Sequence, residues 1–386
     1  MLSKSRVLAG RQCSKRFWLA VNRPELRIIT PDVLRRFRQG HRLNDVVRGL
    51  MPDGVLIGAD VPLADALKIT RRHLDRTPDQ PLFETTFSRH RVPIQADVFQ
   101  RDDGAWRLTE VKSSTRVKPY HLLDWAVQTW VIREAGYPVE QTLLAHADTK
   151  FTYAGDGDYA GLLKAVDVTE DVEALLPEVP DWVAQCLAAL AGQQPASDIG
   201  PQCTDPFTCP YIDYGSPSLP EYPVTDLPNG GRIVDLLLAE GIVDVRDIPA
   251  GRLTKPLQER ARLATVTGEP FLDSALSETL RALPYPRHYL DFETIQFVVP
   301  IWAGTHPYEQ LPFQWSCHSE VADGTLRHHE FLDASGGTSM RRCALALIAA
   351  LGQTGPMIIT ACGSQRNCGL NANRKTWIHA EPGQTH

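Results

Sequence analysis

No apolar run in this 386-residue sequence approaches the ~18 residues that a membrane-spanning helix needs. The opening stretch, MLSKSRVLAGRQCSKRFWLA, is basic but has no long apolar segment ahead of a cleavage site, so secretion is not expected. Eight Cys are too few for a disulfide framework, and a reduced cytoplasm is the expected compartment. No G-x-x-x-x-G-K-[ST] stretch occurs, which leaves a P-loop ATPase without support. Internal repeats and low-complexity tracts are lacking too. Hydrophobic residues make up 43% and charged residues 22%, so global disorder is excluded. The length exceeds the ~250–300 residues at which one core usually splits, which sets two or three domains as the expectation.

Charge is present but uneven. The net charge is −6, yet residues 1–50 carry 12 Lys and Arg against 3 Asp and Glu. A basic segment on an acidic chain suits contact with an anion such as nucleic acid; a solvated helix face is the bland alternative.

Ser5–Ala20 and Pro31–Leu50 have apolar residues at helical spacing, the second behind a Thr30-Pro31-Asp32 start signal. Residues 82–112 change character. Phe83–Phe87 is rich in β-formers, and Val92–Gln100 and Ala105–Lys112 flank Asp102-Asp103-Gly104, a hairpin turn signal. Tyr120–Glu134 returns to helix and stops at Gly136 and Pro138. Gln141–Ala147 reads as a strand, with helices following through about Leu190. A Pro- and Gly-rich region, 195–228, marks a boundary. Helices then run from Gly231 to Leu283, and β patterns resume at Tyr289–Glu293, Phe313–His318 and His328–Leu332.

Three groups of residues bear chemistry. In the first, Glu110 and Lys112 are two apart on one strand and share a face, and Asp97 lies on the facing strand of the hairpin. Two carboxylates beside an ammonium suit Mg²⁺ or Mn²⁺ and phosphodiester hydrolysis. An exposed strand with an ion pair is the alternative for a lone E-x-K. On the following helix, Tyr120, Asp124 and Gln128 are spaced four apart and share a face. In the second, Cys203 and Cys209 sit in the Pro-rich region and Cys13 lies far upstream; buried free thiols are the competing reading, above all for Cys186, Cys317 and Cys343. In the third, Asp291 and Glu293 share one face of an otherwise apolar strand, as a two-metal site requires.

These motifs carry a resemblance. Residues 82–132 resemble the PD-(D/E)XK nuclease core of RecB-family and CRISPR-associated adaptation nucleases, with IQADVF supplying Asp97, TEVKSS supplying Glu110 and Lys112, and Gln128 matching that family's helical Gln. The resemblance makes His41, in Gln39-Gly40-His41, an upstream metal ligand. Two positions depart from the pattern: Ile132 stands where an aromatic is usual, and Ala96 where a Gly is usual. Glu84 is either a supporting carboxylate or an ordinary strand residue. The iron–sulfur members of that family place one Cys before the core and three after it. Here Cys13, Cys203 and Cys209 match, but Gly215 holds the fourth position, which implies a [4Fe-4S] site with one ligand missing. Cys186 is a possible substitute.

Tyr289-Leu290-Asp291-Phe292-Glu293-Thr294 resembles the first motif of DnaQ-type DEDD exonucleases. That site needs two more Asp, and after Glu330 the only acidic residues are Asp333 and Glu381. The whole resembles the bacterial family called domain of unknown function 2779. The implied architecture is α/β: a PD-(D/E)XK restriction-endonuclease-like domain over 1–216, a helical linker over 217–283 and an incomplete RNase H-like domain over 284–386, of which 361–386 reads as an aberrant tail. The implied activity is metal-dependent DNA cleavage in repair or defence. A degenerate nucleic-acid-binding protein and an iron–sulfur redox sensor are the other classes.

Overall fold

The computed structural model describes residues 2–359 except 59–60, 78, 198–199, 216–219 and 272–273. The expected tail at 361–386, with Cys362, Cys368 and Glu381, lies outside the described residues. The chain forms two compact units, Met1–Pro217 with Phe297–Tyr308, and Ser218–Gln296 with Glu309–His386. The chain therefore returns to the first unit over a short segment that no sequence boundary anticipates. The second unit takes the expected linker from Ser218 on and the expected third domain apart from Phe297–Tyr308.

The first unit is mixed α/β. Its helices are α1 (Lys4–Gln12), α2 (Ser14–Asn22), α3 (Pro31–Leu50), α4 (Leu63–Arg76), α5 (Pro119–Glu134), α6 (Thr169–Leu175), α7 (Val179–Ala191) and the short α8 (Ile212–Gly215). Its strands β1 (Val55–Leu56), β2 (Leu82–Arg89), β3 (Val92–Asp102), β4 (Ala105–Lys112), β5 (Val139–Ala147) and β6 (Leu163–Asp167) form one sheet in that order. β1–β2 and β4–β5 pair in parallel and the others antiparallel. Asp103 and Gly104 turn β3 into β4 with φ of 48° and 86°. A two-residue hairpin needs positive φ at both positions, which Asp-Gly tolerates. The β4–β5 pair is parallel and requires a crossover, which α5 supplies. Pro119 at its first position and Gly136 just beyond its end (φ 98°) set its limits.

The sheet is covered on both faces. Leu82, Ile94, Phe99 and Leu108 pack with Phe17 of α2, Trp125 and Val131 of α5, and Trp182 of α7. Phe83, Val98 and Val111 pack on the other side with Leu43 and Val47 of α3 and with Val298 and Val299 from the returning segment. α5 is apolar nearly all round because it is buried nearly all round. Removing the fully buried Trp125 side chain would cost ~3–5 kcal/mol. Two elements differ from expectation. α4 is amphipathic and buries Ala66, Thr70 and Leu74. β6 interrupts the stretch expected to be helical; it is an edge strand with little buried surface, so it lacks an apolar signature.

The second unit begins with α9 (Arg232–Ala239), α10 (Pro256–Thr267) and α11 (Ser274–Ala282). Val224, Leu237, Val245, Ile248 and Leu253 make a small core there. Next come β7 (Arg287–Ile295), β8 (Leu311–Glu320), β9 (Leu326–Leu332), α12 (Met340–Leu351) and β10 (Met357–Ile359). The sheet order is β10-β7-β8-β9, with β10 parallel to β7. Leu290, Trp315, Cys317 and Cys343 form its core. No described helix is long and apolar enough to cross a membrane.

Candidate functional site

The hairpin carries the site at the end away from its turn. β3 and β4 pair from Asp102–Ala105 to Val98–Thr109. One step further, Asp97 stands opposite Glu110, but instead of a ladder bond the Val111 N–H donates to Asp97 Oδ2 at 2.8 Å. On the other side of β3, the Phe83–Val98 and Thr85–Ala96 pairs leave Glu84 opposite Asp97. Glu84 has φ 53°, an uncommon conformation for a residue with a side chain. The side-chain alternation of β2 and β3 shifts there: Leu82 and Phe87 face one core while Phe83 faces the other. Glu84, Asp97 and Glu110 therefore lie in line across three adjacent strands at a local kink. Kinks and unusual backbone conformations of this kind concentrate at functional sites.

Glu110 is buried and every oxygen is engaged. Oε1 accepts from Lys112 Nζ at 2.7 Å and Lys4 Nζ at 2.8 Å, and Oε2 accepts from Gln128 Nε2. Lys112 Nζ also reaches Asp124 Oδ2 at 2.9 Å, and it lies 5.1 Å from the centre of the Trp125 ring. Burial alone would raise the Glu110 pKa, but Lys112 and Lys4 outweigh it and hold the carboxyl down at about 2. Asp97 moves the other way: burial first, then the Glu110 charge, pushes it up to about 7. Burial opposes the charge on Lys112, yet Glu110 and Asp124 keep its pKa above the ordinary lysine value. Burial and then the Lys112 charge press His121, one turn before Asp124 on α5, down to about 4, so it is neutral at pH 7.

Of the residues singled out from sequence, the fold brings Asp97, Glu110, Lys112 and Gln128 together. Asp124 joins them from the same face of α5, whereas Tyr120 stacks edge-on against Phe207 at 4.5 Å. Glu84 comes within electrostatic range of Glu110 and Lys4; burial raises its pKa, and Arg48 and a hydrogen bond from Asn44 oppose that shift. His41 does not join the network: it lies exposed on α3. Lys4, Asn44 and Arg48 have no counterpart in the motif. Among the described residues, no group of three or more His, Cys, Asp and Glu is placed to hold a metal ion. His41, Asp97 and Glu110 are not gathered into such a group, and two ammonium groups occupy Glu110. The donor chemistry still fits a hard cation. Asp124 Oδ1 and Gln128 Oε1 are buried oxygen acceptors without a hydrogen-bond partner, and Mg²⁺ and Mn²⁺ favour all-oxygen surroundings.

The same absence of a ligand group applies to the cysteines. Cys13, Cys203 and Cys209 do converge. The Cys209 N–H donates to Cys203 O at 2.7 Å, and the Gln12 amide beside Cys13 donates to Gln202 O and Phe207 O at 2.6 and 2.7 Å. Burial raises the Cys209 thiol, with smaller contributions from Cys203 and Cys13. Yet the Cys13 thiol points to Ser197 Oγ at 3.6 Å, so the three do not form a closed set. Cys186 packs beneath Gly10, where an added Cβ would meet its Sγ at 2.4 Å; burial lifts its pKa to about 11. That is the environment of a packing residue.

Asp291 and Glu293 lie on β7 with both side chains exposed. Asp333, the next acidic candidate, caps a turn by accepting from the Ser335 N–H at 2.9 Å and pairs with Arg342. No metal-ligand group forms there either among the described residues.

Residues 288–360 match the profile of the family described as "Domain of unknown function (DUF2779)". No curated protein matches the chain at a significant level. One solved structure, titled "Crystal structure of SSO0001", is 12% identical and aligns over 39% of this chain and 70% of its own, with a TM-score of 0.16. That score is too low to assign a fold, so the match of β7 to β10 and its surroundings with DUF2779 is what the comparisons establish.

Proposed function

We propose that the first unit is a PD-(D/E)XK-type nuclease that hydrolyses DNA phosphodiester bonds with Mg²⁺ or Mn²⁺. The observation that carries this reading is the in-line carboxylates Asp97 and Glu110 with Lys112 held between Glu110 and Asp124. A bound divalent ion would supply Lewis-acid chemistry there. Asp97 and Glu110 would hold it, with Asp124 completing the oxygen set. Lys112 stays charged and offers donors to a phosphate oxygen or to an attacking water. Gln128 fixes the rotamer of Glu110 from the buried side. The basic residues of 1–50 supply the attraction for the phosphate backbone.

The second unit, on this reading, is an RNase H-like domain that lacks a full set of acidic ligands, and Cys13, Cys203 and Cys209 are the remnant of a [4Fe-4S] site. A specific observation favours a second reading: both oxygens of Glu110 are occupied, as suits a nucleic-acid-binding protein that has lost catalysis. Purified protein incubated with labelled single- and double-stranded DNA and Mg²⁺ or Mn²⁺ decides between them. Cleavage that requires the metal and is lost in Lys112→Ala supports the nuclease; binding without cleavage supports the alternative. Anaerobic iron reconstitution tests the cysteines, and stable, air-resistant iron would show that another residue supplies the fourth ligand.

A further inference from the structure

The start of α1 places a second ammonium in the carboxylate cluster. Leu2 is fully buried, and its N–H donates to Arg91 O at 3.1 Å. Ser3 then caps α1 by accepting from the Arg6 N–H at 3.3 Å. These two anchors fix Lys4, whose Nζ lies 2.8 Å from Glu110 Oε1 and 3.7 Å from Asp124 Oδ2. Lys112 serves the same two carboxylates at 2.7 and 2.9 Å. The proposed chemistry needs one ammonium, so the other calls for a different explanation.

Charge supplies one. Glu110 and Asp124 share both ammoniums, Asp97 stands opposite Glu110, and Glu84 lies within electrostatic range of it; buried acids so close together need compensating positive charge when no divalent ion is bound. We propose that Lys4 is an internal counter-cation, standing in the carboxylate cluster in place of a divalent ion and withdrawing when the ion binds. This rests on the metal-centre reading above. Lys4 is the ammonium that leaves, and Lys112 the one that stays, for structural reasons. Lys112 is on a strand paired on both sides and has the Trp125 ring beside it. Lys4 sits in the first turn of a helix, and its side chain is about as exposed as that of Lys112, 21% against 25%, so the backbone that carries each ammonium, and not exposure, separates the two. The buried acceptors Asp124 Oδ1 and Gln128 Oε1 remain unpartnered with both ammoniums in place. The site thus has oxygen capacity that Lys4 does not fill, and an ion with several coordination positions would use it. Metal loading and the position of the Lys4 side chain are therefore coupled.

Mn²⁺ binding tests this without reference to activity. The full chain, Lys4→Met, Lys4→Arg and Asp97→Ala would be titrated with Mn²⁺ by isothermal calorimetry and by the electron paramagnetic resonance of free Mn²⁺. Removing a unit charge a few ångströms from the ligands should tighten Mn²⁺ binding in Lys4→Met by at least about tenfold. Lys4→Arg should resemble the wild-type chain, and Asp97→Ala should lose binding. Mn²⁺ should also raise the melting temperature of Lys4→Met more than that of the wild-type chain. If Lys4→Met loses its helical circular dichroism, Lys4→Gln carries the same expectation. Equal or weaker affinity in the neutral variants, with binding still lost in Asp97→Ala, would overturn the role of Lys4 and leave the metal centre standing. No Mn²⁺ binding in any chain would overturn both.

Discussion

Each unit presents two carboxylates at the sequence level, and their fates differ. Asp97 and Glu110 come from facing strands, lie side by side and meet Lys112 of the second strand together with Lys4, Asp124 and Gln128 from two helices. Asp291 and Glu293 come from one strand and face outward on its exposed side. The alternation that makes two residues share a face is satisfied in both. What separates them is convergence: burial and opposite charge split the first pair to about 7 and about 2, and among the described residues no such partners surround the second. A motif sets which side chains are parallel; the packing of other elements decides whether they become a site.

The largest effect expected from this contrast is on cleavage. Lys112→Ala should lower metal-dependent DNA cleavage by ~100-fold or more, while the double change Asp291→Ala, Glu293→Ala leaves the rate unchanged in the same gel assay. The reverse pattern would move the chemistry to the second unit. Stability should separate the pairs next. Glu110→Ala leaves two ammoniums beside each other, and urea unfolding should show a loss of ~3–5 kcal/mol. Asp291→Ala removes an exposed side chain and should stay within ~0.5 kcal/mol.

A pH-dependent change is smaller. The Asp97 carboxyl titrates at about 7 in the folded chain, against ~4 in an unfolded one. The folded state therefore holds the extra proton between those values, and its contribution to stability falls as pH rises through 7. Asp97→Asn should raise the melting temperature at pH 8, by about 1 kcal/mol of stability after allowing for solvent screening, and leave it unchanged at pH 4. A gain of the same size at both values would remove the titration as its cause. Smallest is the Arg342–Asp333 pair: Arg342→Ala should cost under ~1 kcal/mol in the same melts, as befits a turn cap and not a site.

The hairpin was legible because its signals are local. Asp103-Gly104 dictates the turn, and counting back by register puts Asp97 against Glu110. Asp124 and Gln128 follow from helical spacing once α5 is recognised. Lys4 is different: it sits 106 residues from Glu110 in the chain, within a basic stretch where one lysine resembles the next. Nothing short of the packing of α1 against the sheet distinguishes it. His41 is hard to place for the complementary reason, since a motif position carries no information on which way α3 is rotated. The shifted alternation at Glu84 hides as well, because Phe83 and Phe87 look equally suited to a strand whichever core they enter.

The returning segment has a consequence for synthesis. Val298 and Val299 help fill the core shared by Leu43, Phe83, Val98 and Val111, and the Tyr308 hydroxyl donates to Ser113 O, immediately after Lys112. A nascent chain that has emerged only to Pro217 therefore has its sheet but not the packing on that face. The first unit can close its core only once residue 308 has left the ribosome, after most of the second unit's helices have emerged. Folding here does not proceed strictly from the first unit to the second, and a gene fragment ending near residue 217 encodes a protein with a gap beside its candidate site.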